Sequence, residues 1–96
     1  MYDLKLTNRF AKSYKKIAKQ DHELKINIKK SLKQLEYDPM HPSLHSHKVN
    51  SRLYGICWSS RVTGDIRILW IYANETVMLI IILDIGSHSG SKKVYS

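Results

Sequence analysis

Asp65-Ile66-Arg67-Ile68-Leu69-Trp70-Ile71-Tyr72, then Val77-Met78-Leu79-Ile80-Ile81-Ile82-Leu83-Asp84-Ile85 and Gly86-Ser87-His88, is the stretch that decides the fold. Its two largely apolar runs, Ile66 to Tyr72 and Val77 to Ile85, are short, rich in β-branched residues and joined through Asn74-Glu75. That pattern predicts two adjacent buried strands linked by a tight hairpin turn. Val77 to Ile85 is the more apolar run and is expected in the interior of a sheet. Arg67 interrupts the first run, and His88 follows the second just past Gly86. Ionisable groups on or beside an apolar sheet are costly unless they have a task, so both are candidate functional residues.

Working upstream, Leu53 to Ser59 reads as a third strand, turning at Ser60 to Gly64 into the strand Ile66 to Ala73. Thr63-Gly64-Asp65 is the tight point of that turn. Asp38-Pro39 ends the preceding helix, because a residue before proline avoids helical geometry. Residues 38–52 read as a loop carrying His41, His45, His47, Lys48 and Arg52. Three histidines so close raise the question of a metal. His45 and His47 are only two apart, and Asp38 is the one nearby carboxylate, so the expected metal set is none. Cys57 is the single cysteine and lies within Ile56-Cys57-Trp58, where a buried structural thiol is expected.

At the N-terminus, Tyr2, Leu4 and Leu6 alternate with Asp3 and Lys5 as in a half-buried strand. Thr7 is placed to cap a helix in which Phe10, Ala11, Tyr14, Ile17 and Ala18 form the apolar stripe and Lys12, Lys15, Lys16 and Lys19 the outer face. Asp21 is placed to cap a second helix with Leu24, Ile28, Leu32 and Leu35 inward. Lys25, Lys29, Lys30 and Lys33 lie on its other side, together with Ile26. The order β-α-α-β-β-β predicts one α+β domain over residues 1–96: an antiparallel sheet with a two-helix hairpin packed on one face. The other face is expected to stay open, with the 38–52 loop and the tail near its rim.

The 96 residues carry a net charge of +8, and residues 1–37 alone hold ten basic against four acidic side chains. A field of that sign favours a polyanionic partner. No stretch approaches the roughly 20 apolar residues of a membrane span. The N-terminus has no signal-peptide core, so a cytoplasmic protein is expected.

Together these residues resemble the RelE/ParE superfamily of toxins from type II toxin–antitoxin pairs, most of all its RelE and YafQ branches, over nearly the whole chain in element order. Arg67-Ile68-Leu69-Trp70 is similar to the Arg-Leu-Val-Tyr strand of RelE. Gly86-Ser87-His88 is similar to the Gly-Thr-His or Gly-Ser-His of YafQ, and Val94-Tyr95 to the closing Val-Tyr of many RelE members. His47-Lys48-Val49 with Gly55 is similar to the His-x-Leu and downstream Gly that lead into the family's second strand, and Trp58-Ser59-Ser60-Arg61 to a Trp-Ser-x-Arg segment of the YoeB branch. Where the YafQ branch has Asp-Trp, this chain has Ile66-Arg67; where RelE has an arginine, it has His88.

The resemblance implies a ribosome-dependent mRNA endonuclease that cleaves by 2′-hydroxyl attack with metal-free acid–base catalysis. It implies His88 and His47 as proton-transfer groups and Arg67 as the phosphate clamp. Lys48 and Arg52 would hold the scissile phosphate or its neighbour, with Arg61 a weaker contact, and Tyr95 would stack on a base or lend its hydroxyl. It implies a cognate antitoxin, the ribosome and mRNA as partners, no membrane and no small-molecule cofactor. Two other readings stand beside it: a ParE-like, non-catalytic inhibitor of DNA gyrase, and a basic nucleic-acid-binding module. The latter needs exposed aromatics among the lysines, for which the helices offer only Tyr14 and Tyr37.

Overall fold

A computed structural model describes residues 1–74 and 76–87. The elements run β1 (Asp3–Leu6), α1 (Asn8–Gln20), α2 (His22–Tyr37), a single 3-10 turn (Pro42–Leu44), β2 (His47–Ser51), β3 (Gly55–Arg61), β4 (Ile66–Asn74) and β5 (Leu79–Ser87). The helix boundaries follow from side-chain capping. Thr7 Oγ1 accepts from the Phe10 N–H at 3.1 Å while its own hydroxyl donates to the Leu83 carbonyl at 2.8 Å, so one threonine starts α1 and ties it to β5. Asp21 serves both helices. Its N–H closes α1 on the Ile17 carbonyl, and its Oδ1 accepts from Leu24 N at 3.0 Å to open α2. A one-residue junction leaves the helices no option but to fold back on each other.

The sheet has five strands in the order β1-β5-β4-β3-β2. The α+β class and the helix hairpin on one face are as the sequence predicts; four details of the sheet differ. First, β1 runs parallel to β5, in register from Asp3↔Leu79 to Leu6↔Ile82, so the sheet is mixed, with only β2 to β5 antiparallel. The chain crosses over the sheet through two helices before its later strands form, which allows the first strand to re-enter in either direction. Second, the expected loop 38–52 contains the 3-10 turn and a complete strand, β2, at the sheet edge. Its sequence His-Lys-Val-Asn-Ser has one apolar residue, so no alternation marks it, and an edge strand needs none. The third strand also begins later and ends later than expected, at Gly55 and Arg61. Val77 and Met78 belong to the β4–β5 turn, where Asn74 Oδ1 accepts from Thr76 N and Val77 N at 2.9 and 3.2 Å. β4 is the central strand and β5 its neighbour.

Strand alternation sorts the sheet into two faces. Ile68, Trp70, Ile80, Ile82 and Ile85 pack with Phe10, Ile28, Leu35 and Leu44 in the main core under the helices. Cys57 and Leu69 point the other way into a smaller cluster with Val49, Tyr54, Ile71 and Leu83. The middle of the face expected to stay open therefore carries a small cluster of its own, in which Cys57 and Leu69 are buried. Cys57 is buried, as expected, and burial pushes its thiol pKa up.

A chain of side-chain hydrogen bonds fixes the 38–46 segment against the sheet. Trp70 Nε1 donates to Ser60 Oγ at 2.7 Å, Ser60 and Ser46 hydroxyls meet at 2.6 Å, and Ser46 Oγ donates to the Pro39 carbonyl at 2.7 Å. An indole N–H only donates and a carbonyl only accepts, so the direction runs from Trp70 through Ser60 and Ser46 to Pro39. Trp70 and Ser60 are fully buried. Ser60→Ala strands the indole N–H and should lower the free energy of unfolding by about 1–3 kcal/mol, measured by denaturant melts. Ser43→Ala, whose hydroxyl meets only His41, should stay within about 0.5 kcal/mol.

Candidate active site

Residues directly opposite each other in an antiparallel ladder share a face, with Cβ atoms about 5 Å apart, and diagonal neighbours are about 7–8 Å apart. The register places Arg61 opposite Arg67, and Arg67 opposite Gly86. The adjacent row on the same face runs His47, Ser59, Leu69, Asp84 across β2 to β5. Leu69 belongs to the cluster away from the helices, so both rows lie on that face; Ser59, Leu69 and Asp84 are buried, His47 is exposed at the edge of their row, and the Arg61–Arg67 row lies beyond it. Arg61, Arg67 and His47 are thus brought to one rim of the sheet by strand pairing alone.

Arg67 and His47 are each held by backbone. The Arg67 guanidinium donates through Nη1 to the Thr63 carbonyl and, at 3.4 Å, to that of Ile66. The β3–β4 turn that supplies Thr63 is itself built by Thr63 Oγ1, which accepts from Asp65 N and Ile66 N at 3.3 and 3.0 Å. Ser87 donates to the Asp65 carboxylate at 2.8 Å and joins that turn to the end of β5. His47 Nδ1 lies 2.9 Å from the His45 carbonyl. A carbonyl can only accept, so the proton sits on Nδ1, and in the neutral ring Nε2 carries the lone pair. His45 is placed for this contact by a left-handed backbone, φ 46°. Two arginines directly opposite each other repel unless an anion lies between them.

The other sequence candidates are dispersed. Lys48 points to the helix side, its ammonium 5.7 Å from the Trp58 ring centre, and does not join His47. Arg52 is exposed in the β2–β3 turn, near the left-handed Gly55 at φ +71°. His88 and Tyr95 lie outside the described residues. His41 accepts from Ser43 N at 3.1 Å and caps the 3-10 turn. Among the described residues no group of three or more His, Cys, Asp or Glu side chains converges as a metal site.

Sequence reasoning missed Asp84. It is 7% exposed and its carboxylate takes four donors: Arg9 Nε at 3.2 Å, Ser13 Oγ at 3.2 Å, Tyr54 OH at 3.0 Å and Ile85 N at 2.8 Å. The one available signal was its place as the sole acidic residue in the apolar run Val77 to Ile85. Tyr54 crosses the sheet face to reach it. Burial first, and then the hydrogen bond to and the charge of Asp84, push the Tyr54 phenol from 10.0 up to about 12.

This geometry meets a known group of proteins. Residues 2–91 match the family described as "Bacterial toxin of type II toxin-antitoxin system, YafQ". The chain belongs to that family of type II toxins. Among solved structures, YafQ from E. coli strain BL21(DE3) is similar with a TM-score of 0.69 at 17% identity, over 91% of this chain and 93% of that one. The YoeB/ParE toxin from Agrobacterium tumefaciens gives 0.73 at 16% identity, over 93% and 100%. The E. coli DinJ-YafQ toxin-antitoxin complex gives 0.68 at 16% identity, over 91% and 92%. At such identities these likenesses speak for the fold. No curated protein sequence matches the chain.

The raised Tyr54 pKa carries a sign. The folded state holds the phenolic proton more tightly than the unfolded chain, so the stabilisation is complete below pH 10 and is lost as pH rises towards 12. Denaturant midpoints measured from pH 9 to pH 12 should therefore fall more steeply for the wild type than for Tyr54→Phe.

Proposed function

We propose that this toxin is an endoribonuclease that cuts mRNA on the ribosome by attack of a ribose 2′-hydroxyl on the adjacent phosphate. The observation that carries the reading is the rim where Arg61 faces Arg67 across the ladder, with His47 diagonal to Arg61 on the same face. A phosphate between two opposed guanidiniums relieves their repulsion, and the charge that builds on it during attack is stabilised most. His47 Nε2 offers a base for the 2′-hydroxyl proton. In this reading His88, next after Ser87 at the end of β5, returns a proton to the departing 5′-oxygen, and Tyr95 assists by stacking on a base. Arg52 extends the basic rim from the β2–β3 turn, and Lys48, against Trp58, backs the strand that carries His47. The reaction is metal-free and uses no small-molecule cofactor.

The partners we propose are an antitoxin and the translating ribosome, in the cytoplasm. The E. coli YafQ has been solved with DinJ and the Staphylococcus aureus YoeB with YefM. The +8 charge of this chain favours an acidic toxin-binding segment in its own antitoxin. The same charge favours docking among ribosomal RNA. Among the described residues no helix is long and apolar enough to cross a membrane.

Primer extension on mRNA in a translating ribosome mixture, and on naked mRNA, tests the reading. Cuts that require ribosomes are expected from the wild type. Arg67→Ala and His47→Ala should each lower the cutting rate at least about a hundredfold in protein that is still folded. Intact mRNA together with inhibited gyrase would instead make this a ParE-like inhibitor.

A further inference from the structure

A cleft of about 590 Å³ lies not on the rim just described but beside it, between α1 and the C-terminal half of β5. It opens because β1 pairs with β5 only as far as Ile82, so α1 lies alone against the residues that follow. Its volume falls in the range of about 300–1,000 Å³ common to small-ligand sites. Ile17, Ile66 and Ile85 give it an apolar floor, and Arg9 and Lys16 stand among its polar walls. Residues 8–20 hold five basic side chains and no acidic one. The one carboxylate lining the cleft is Asp84, and it is already engaged by Arg9, Ser13 and Tyr54. The cleft ends at Gly86, the residue directly opposite Arg67.

We infer that this cleft is a nucleotide subsite, which takes one nucleotide of single-stranded RNA flanking the phosphate held at Arg67. The inference rests on the endonuclease reading for its substrate class. An apolar floor suits the face of a base, which stacks or packs without regard to its identity. Arg9 and Lys16 suit the phosphate that follows. Asp84 is the positioning residue. It grips Arg9 by Nε, which is the one guanidinium nitrogen not needed for a two-point hold on phosphate, and so aims the Nη fork outward. Ser13 and Tyr54 fix Asp84 in turn, and this gives a task to a buried carboxylate that the proposed proton transfers do not use. An acidic peptide segment would match the charge as well, but Gly86 pairs with Arg67 at the same end of the sheet, so a single strand passing round that end would reach both, and this favours the strand being cut.

The test is equilibrium binding of a labelled 2′-O-methyl hexaribonucleotide, which cannot be cleaved, as a function of salt. Lys16→Gln, and Arg9→Lys, which keeps a cation beside Asp84, should each weaken binding about five- to tenfold. Lys16→Gln should also lower the salt slope by about 0.7, the value for one phosphate contact on a single strand. Lys29→Gln, exposed on α2 and outside the cleft lining, should change neither. If both cleft variants bind like the wild type while Arg67→Ala abolishes mRNA cleavage, the subsite is refuted and the endonuclease reading stands. If the wild type neither binds the oligonucleotide nor cuts mRNA, both fall together. If the cleft variants bind RNA normally but no longer hold the antitoxin, the cleft is a protein-docking groove and the inference is overturned.

Discussion

The period-two alternation of β4 is the constraint on which the rest depends. Ile68 and Trp70 enter the helix-side core, while Arg67, Leu69 and Ile71 take the other face. A slip of one residue would drive Arg67 into the core and expose Trp70, so core and site are specified by one register. Three contacts pin it. The Trp70 indole is tied to Ser60 on β3, the irregularity between Leu69 and Trp70 locks β4 to β5, and the Arg67 guanidinium grips its own turn at Thr63. The side chains that stabilise the sheet are thus the ones that aim the cationic rim.

Charge is separated in the same way. Apart from Lys16 in the cleft, the lysines of α1 and α2 lie on the outer surface of the hairpin, and their charge is of the sign that would steer a polyanion without commitment to one contact. The arginines at the sheet rim are fixed by strand pairing and turn carbonyls. Asp84 is the counterweight, a carboxylate in a basic molecule whose donors come from α1, the β2–β3 turn and its own strand. Through it the helix, the far hairpin and the end of β5 share one anchor next to Arg67.

Much of the fold was legible because its elements are strongly patterned. Thr7 and Asp21 cap as their residue types predict, and Phe10, Ile28 and Leu35 are buried at the positions that helical spacing selects. β2 was not legible, because an edge strand whose one apolar residue is Val49 has no hydrophobic period to detect. The parallel pairing of β1 depends on a partner more than seventy residues away and leaves no local mark. Arg67 stood out as the one cation inside an apolar run. Lys48 beside His47 looked equally suited, yet adjacent strand residues face opposite sides, and without a known strand no face can be assigned. Tyr54 and Asp84 meet across two intervening strands, a contact that exists only after the sheet has closed.

The central claim is that the rim carries out attack by a ribose hydroxyl on its own phosphate, and the ends of the cut RNA report this most directly. mRNA cut in the presence of ribosomes should carry a 5′-hydroxyl on the downstream fragment, labelled by polynucleotide kinase without prior phosphatase, and a 2′,3′-cyclic phosphate upstream. A 5′-phosphate would show that water rather than the ribose attacks, and would contradict the mechanism built on Arg61, Arg67 and His47.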